Sequence, residues 1–181
     1  MAKRNYRQMA LFGELYAYLV VLSPPETVKA DIAKIKKKLN DIAYISDRNL
    51  HSIAHITLVD KLTDDADFAE TIAKLITPAN PFKVIVEGWS IFDHGHSVTV
   101  YLSIKNPEPI VSLMTLVKST SKTPHISLAK KISYENFDML KPYLESLNYS
   151  AEWLCDEVNV LRKLMSEKHL GFRESIKIKI M

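Results

Sequence analysis

The sequence predicts an α+β protein with a duplicated, two-lobed layout, each lobe an antiparallel sheet covered by helices. Three observations carry this. Apolar runs of strand character alternate with runs of helical period. The order helix, short strand, helix, long hairpin occurs twice along the chain. The two short strands carry matching text, Ala54-His55-Ile56-Thr57-Leu58 and Pro124-His125-Ile126-Ser127-Leu128, with their histidines 70 residues apart. No general identity links the halves, so the repeat is one of layout, and it predicts two small sheets with helices outside them.

Residues 15–22 read as a buried strand stopped by Ser23-Pro24-Pro25. Residues 25–40 read as a helix, because Val28, Ile32, Ile35 and Leu39 recur at helical spacing. Residues 53–59 give a second strand. Thr63 is placed to cap the next helix, with Asp64 and Asp65 near its positive end and Phe68, Ile72, Leu75 and Ile76 as its apolar stripe. Residues 82–92 and 97–104 form a hairpin around the turn Asp93-His94-Gly95-His96. A helix over 108–120, a strand over 125–129, a helix capped by Ser133 and running to about Leu147, and strands near 152–163 and 171–180 complete the second half.

Composition sets bounds. The chain has 181 residues, 47% of them hydrophobic and 25% charged, which suits one ordinary globular domain spanning 1–181 with a core of its own. The single cysteine, Cys155, excludes an intramolecular disulfide and a cysteine-based zinc site, and reads as a buried thiol. The apolar stretch Leu15–Leu22 is too short to span a bilayer, and no signal-like cleavage site follows it, so a cytoplasmic protein without membrane partners is expected. A net charge of +3 suits an anionic ligand without demanding one. Lys34, Lys36, Lys37 and Lys38 read as a solvated helix face.

The two short strands carry the chemistry. Side chains at i and i+2 of a strand share a face, so His55 and Thr57 look one way while Ile56 and Leu58 anchor the other side. His125 and Ser127 repeat this against Ile126 and Leu128. Cleaving a phosphate ester needs a base for the nucleophile and an acid for the leaving oxygen. Histidine does either job near neutral pH, and two hydroxyls can donate to the non-bridging oxygens, where charge develops. This scheme requires no metal or other cofactor.

The paired His-x-Thr/Ser-x motifs resemble those of the two-histidine (2H) phosphoesterase superfamily, which includes the LigT-like 2′-5′ RNA ligases and cyclic nucleotide phosphodiesterases. The stretch Thr123-Pro124-His125-Ile126-Ser127-Leu128-Ala129-Lys130 is similar to the family's second motif, commonly Pro-His-Ile-Thr-Leu-Ala-Arg. The resemblance covers the motif spacing and the layout of most of the chain. It implies a bilobal α+β fold with His55 and His125 in a central groove, and metal-free chemistry on 2′,3′-cyclic phosphates or related RNA ends. Lys130 in place of arginine keeps the charge and loses bidentate phosphate geometry. Val59-Asp60-Lys61-Leu62, where the family often has Phe-Leu-Gly, leaves the subfamily and substrate open.

Lys130 is a candidate phosphate contact, although at i+5 from His125 a straight strand would turn it away, so the strand must bend or bulge. Tyr16 and Tyr18 share a face of the first strand, where either could stack on a base or bind phosphate, or serve as core aromatics. His51, His94, His96 and His169 read as loop and turn residues. The expected partner is an RNA end or cyclic nucleotide, met by a monomer. Three rivals stay open: a 2H-type enzyme acting on a small non-RNA phosphate metabolite, a nucleotide-binding or RNA-binding module that has lost the reaction, and a structural protein whose motifs are core text.

Overall fold

The computed structural model describes residues 13–167 and 171–181. The basic segment 1–7 and His169 lie outside the described residues. Eight strands and five helices follow in the order β1 (Tyr16–Leu22), α1 (Glu26–Ile42), α2 (Asp47–His51), β2 (Ile56–Thr63), α3 (Phe68–Ile76), β3 (Phe82–Asp93), β4 (Val98–Ile104), α4 (Glu108–Leu116), β5 (His125–Ile132), α5 (Tyr134–Ser146), β6 (Ser150–Cys155), β7 (Glu157–Leu164) and β8 (Glu174–Lys179). The fold class is α+β, as the sequence predicts.

The strands form one antiparallel sheet rather than two, in the order β6-β3-β4-β5-β2-β1-β7-β8. The joint is narrow. Strands β2 and β5 meet only at Ile56 and Ile126, the residues that follow the two histidines. Both isoleucines are fully buried, so the seam between the halves is an apolar clasp. The hairpin β3–β4 pairs with β5, not with the strand of its own half of the chain.

The sheet has to curl. Strands β6 and β7 are six intervals apart, which in a flat sheet is roughly 29 Å at about 4.8 Å per strand. Yet Asp156 alone separates them in the chain, and Cys155 and Glu157 can stand no more than roughly 7 Å apart. The run 152–163 that reads as one strand is therefore two. Its first part pairs with β3 and its second with β1 and β8.

Local signals explain most elements. Helix α1 buries Val28, Ile32, Ile35 and Leu39, the residues of its apolar period. Ser133 caps α5, its hydroxyl accepting from the Asn136 N–H. Thr63 does not cap a helix. Strand β2 stays paired to β1 as far as Thr63, and α3 starts five residues later, behind Asp67. The Thr63 hydroxyl instead accepts from the Asp65 N–H, turning the chain out of the sheet. Helix α2 is an addition to the sequence reading, capped by the Ser46 hydroxyl on the Asn49 N–H. Cys155 is buried, and burial pushes its thiol up to about 11. Among the described residues no helix is long and apolar enough to cross a membrane.

Candidate functional site

His55 ends the loop that enters β2, and His125 opens β5, so the clasp at Ile56 and Ile126 brings the two imidazoles to neighbouring strands. Each ring is held in the same way. The His55 Nδ1–H donates to the Ile53 carbonyl at 2.8 Å, and the His125 Nδ1–H donates to the Thr123 carbonyl at 2.9 Å. These bonds assign the neutral tautomer and leave Nε2 as the titrating atom of both rings. Phe92 meets His125 edge-on at 4.9 Å, and Tyr101, stacked on Phe92, lies 5.1 Å from the same ring, so aromatic packing adds to its orientation.

Burial lowers both histidines below the ordinary value, because imidazolium is poorly solvated there. Lys130 lowers both further by its charge, and Lys36 and His125 add to the effect on His55.

His55, Thr57, His125, Ser127 and Lys130 line one groove of about 1020 Å³. Lys130 reaches it through an irregular strand. The pairing of β5 with β4 shifts register twice, between Val98 and Val100 and again between Val100 and Tyr101. Leu128 and Ala129 are consequently both buried, the alternation is broken, and Lys130 joins the groove. Strand β2 carries a matching bulge at Leu58, and Asp60 is turned into the groove in the same way. The residues five beyond each histidine are thus opposite in charge.

Lys130 is clamped to α2. The Asn49 side-chain amide donates to the Lys130 carbonyl at 2.9 Å, and its oxygen accepts from the Lys130 N–H at 3.0 Å. Beneath the groove lies Lys36, a correction to the reading of its run as a solvated face. It is 1% exposed, and its Nζ donates to the Ser52 carbonyl at 2.7 Å and the Ser52 hydroxyl at 2.6 Å. Burial, with Lys130 adding to it, pushes its amine down to about 8. Ser46 and Lys131, both lining the groove, adopt φ of +79° and +58°. Such left-handed non-glycine backbone costs roughly 1–3 kcal/mol each and gathers at functional sites.

Tyr16 and Tyr18 are not brought to this groove. Tyr18 is fully buried and donates to the carbonyls of Asp65 and Ala66, while Tyr16 packs against Tyr18 and under Arg162. Strand β1 turns Leu19 to the groove and sends Tyr18, Val20 and Leu22 to the core. His51 is exposed at the end of α2, and His94 is engaged with the Thr99 hydroxyl. Sequence pattern alone does not mark Arg48, Asn49 or Ser52, and it places Lys36 in solvent. The Ser46-to-Asn49 cap spacing was the one local signal for α2.

Cations outnumber acids in the groove, with Arg48, Lys130 and Lys131 against Asp60, and His55, His125 and the hydroxyl residues Thr57 and Ser127 share the space. An anion with ester oxygens is the ligand such a surface suits. The model of the 2′-5′ RNA ligase superfamily matches residues 24–166, and the chain belongs to that family, within the 2H phosphoesterases. No curated protein sequence shows significant similarity to the chain. Among solved structures it is similar to Escherichia coli LigT in apo form, at 10% identity and a TM-score of 0.59 over 92% of this chain and 99% of that one. LigT complexed with 3′-AMP matches at 11% identity and a TM-score of 0.60, with the same coverage. TT0787 of Thermus thermophilus matches at 12% identity and a TM-score of 0.53, over 90% of this chain and 97% of that one. These likenesses show a shared fold, and family membership supports an enzyme of the phosphodiesterase or RNA-processing kind.

Proposed function

We propose that the protein is a phosphoesterase acting on 2′,3′-cyclic phosphates or 2′-5′ phosphodiesters, at RNA ends or in cyclic nucleotides, with His55 and His125 as the acid–base pair. The observation that carries this is the matched presentation of the two imidazoles, each fixed through Nδ1–H to the carbonyl two residues before it, in one cationic groove. In hydrolysis of a cyclic phosphate, one neutral imidazole takes a proton from water at Nε2 as the new P–O bond forms. The other, protonated, gives its proton to the ribose oxygen as the ester P–O bond breaks. The reverse direction exchanges their roles. Thr57 and Ser127 donate to the non-bridging oxygens, and Lys130 offsets their charge. The two imidazoles carry both proton transfers, so the scheme calls on no metal.

Burial keeps both histidines neutral near pH 7, which readies the base. An arriving phosphate anion favours the imidazolium of the other, so substrate itself helps load the acid. Other proteins of this fold have been crystallised with such ligands: LigT complexes with 3′-AMP and with phosphate are among its structural relatives. The test is hydrolysis of nucleoside 2′,3′-cyclic phosphates in excess chelator by wild type, His55→Ala and His125→Ala. Turnover should fall by about 10²–10⁴-fold in each variant. Activity that survives both substitutions, or none in the wild type, would overturn the assignment.

A further inference from the structure

Helix α2 supplies Arg48 and Asn49 to the cationic groove, yet it has no apolar anchor. None of its five residues is buried, so hydrophobic burial does not hold it in place. Hydrogen bonds do, and they form one chain. The Ser46 hydroxyl accepts from the Asn49 N–H, and the Asn49 side chain grips the backbone of Lys130. The Asn49 carbonyl accepts from the Ser52 hydroxyl at 2.9 Å. With its proton spent on Asn49, that hydroxyl accepts from the Lys36 amine, as does the Ser52 carbonyl. The chain that begins at Lys130 in the groove therefore ends on Lys36 beneath it.

A neutral donor could end such a chain. Lys36 brings a charge as well, in a buried position, and among the described residues no carboxylate pairs with it. Burying a charge without an opposite one is costly, and an apolar side chain of similar length would fill the space at less cost. The titratable groups whose charge meets it are Lys130 from β5 and His55 at the entry to β2, and neither is an anion. An offsetting negative charge has to enter the groove from outside.

We propose that Lys36 is a positioning residue for the phosphate: through Ser52 and Asn49 it sets the place of Lys130, and its buried charge is offset by the anion that Lys130 binds. The proposal rests on the reading of the groove as a phosphate seat. Lys36 touches no reacting atom in this scheme and takes no part in proton transfer.

The experiment is calorimetric titration of inorganic phosphate into the full chain and its variants from pH 7 to 9.5. Lys130→Met tests the seat itself and should lose phosphate affinity. Lys36→Met fills the same space without the charge, so folding is expected to survive it. At pH 7 it should bind phosphate about tenfold more weakly than wild type, the order of one charge interaction in a part-buried site. The Lys36 amine titrates at about 8 in the fold, so this ratio should shrink as pH rises to 9.5. Lys36→Met combined with Asn49→Ala should lose less affinity than the two single losses multiplied, because both break one chain. Equal affinity of wild type and Lys36→Met at pH 7, a ratio constant in pH, or losses that simply multiply would overturn the role of Lys36 and leave the seat standing. If Lys36→Met does not fold, Ser52→Ala decides: it breaks the chain and keeps the charge, and unchanged phosphate affinity would overturn the proposal. If wild type binds no phosphate, or Lys130→Met binds it equally well, the seat fails and the role of Lys36 falls with it.

Discussion

Replacing Lys36 by methionine should flatten a pH dependence of stability that the wild type owes to this one amine. Lys36 is buried; among the described residues its hydrogen-bond acceptors are the carbonyl and hydroxyl of Ser52, and no carboxylate forms an ion pair with it. Folding lowers its amine from 10.5 to about 8. The sign follows from proton counts. Below pH 8 both folded and unfolded chains carry the proton, and the full penalty of burying the charge is present. Between pH 8 and 10.5 the unfolded chain holds a proton that the folded chain has released, so wild-type stability gains as pH rises. The gain amounts to about 3 kcal/mol across the window, at about 1.4 kcal/mol for each factor of ten in proton affinity. Other groups titrate there too. Cys155, raised to about 11, makes the folded state lose stability above pH 9. Both proteins carry that thiol, so it cancels in the difference. The assay is urea unfolding of wild type and Lys36→Met from pH 7 to 10.5, read as the difference between them. A difference constant in pH would refute the reasoning, because it would mean that Lys36 keeps an ordinary amine in the fold. With inorganic phosphate in the groove, an anion supplies what the amine lacks, and the window should move toward higher pH.

Three further outcomes follow from the same geometry. The pH profile of kcat/KM should be a bell with both limbs below about 6.5, since burial lowers both histidines. Lys130→Met removes a cation that lowers each of them further, so both limbs should move to higher pH, and limbs that stay in place would remove Lys130 from the electrostatics of the site. Asn49→Ala breaks the two bonds that clamp Lys130, and should lower unfolding stability by about 1–3 kcal/mol while raising KM. Urea unfolding and initial rates check this, and an unaltered KM would show that the clamp does not position Lys130.

Much of the candidate site was legible in the chain, because strand alternation is a local rule. His55 with Thr57, and His125 with Ser127, share a face whatever the strands pair with, and both pairs line the groove. Lys130 marks where the rule stops. Five residues from His125, it belongs to the far face of a straight strand, and only the slipped pairing of β5 against β4 brings it round. Asp60 reaches the groove by the same device on β2, with nothing in its neighbours to announce it. The tyrosines of β1 illustrate the opposite case: alternation correctly puts Tyr16 and Tyr18 on one face, but says nothing of which face meets the core.

The α+β class, the helical and strand periods, and the twin pairs of imidazole and hydroxyl follow from the chain alone. These depend on residues within a few positions of one another, where backbone geometry alone decides direction. Tertiary packing alone closes eight strands into one curled sheet through Ile56 and Ile126, lets Asn49 grip Lys130 from 81 residues away, and buries Lys36 while Lys34, Lys37 and Lys38 stay in water. Those outcomes turn on which distant segment packs against which, and the free energy that selects it comes from burial and pairing summed over the whole core.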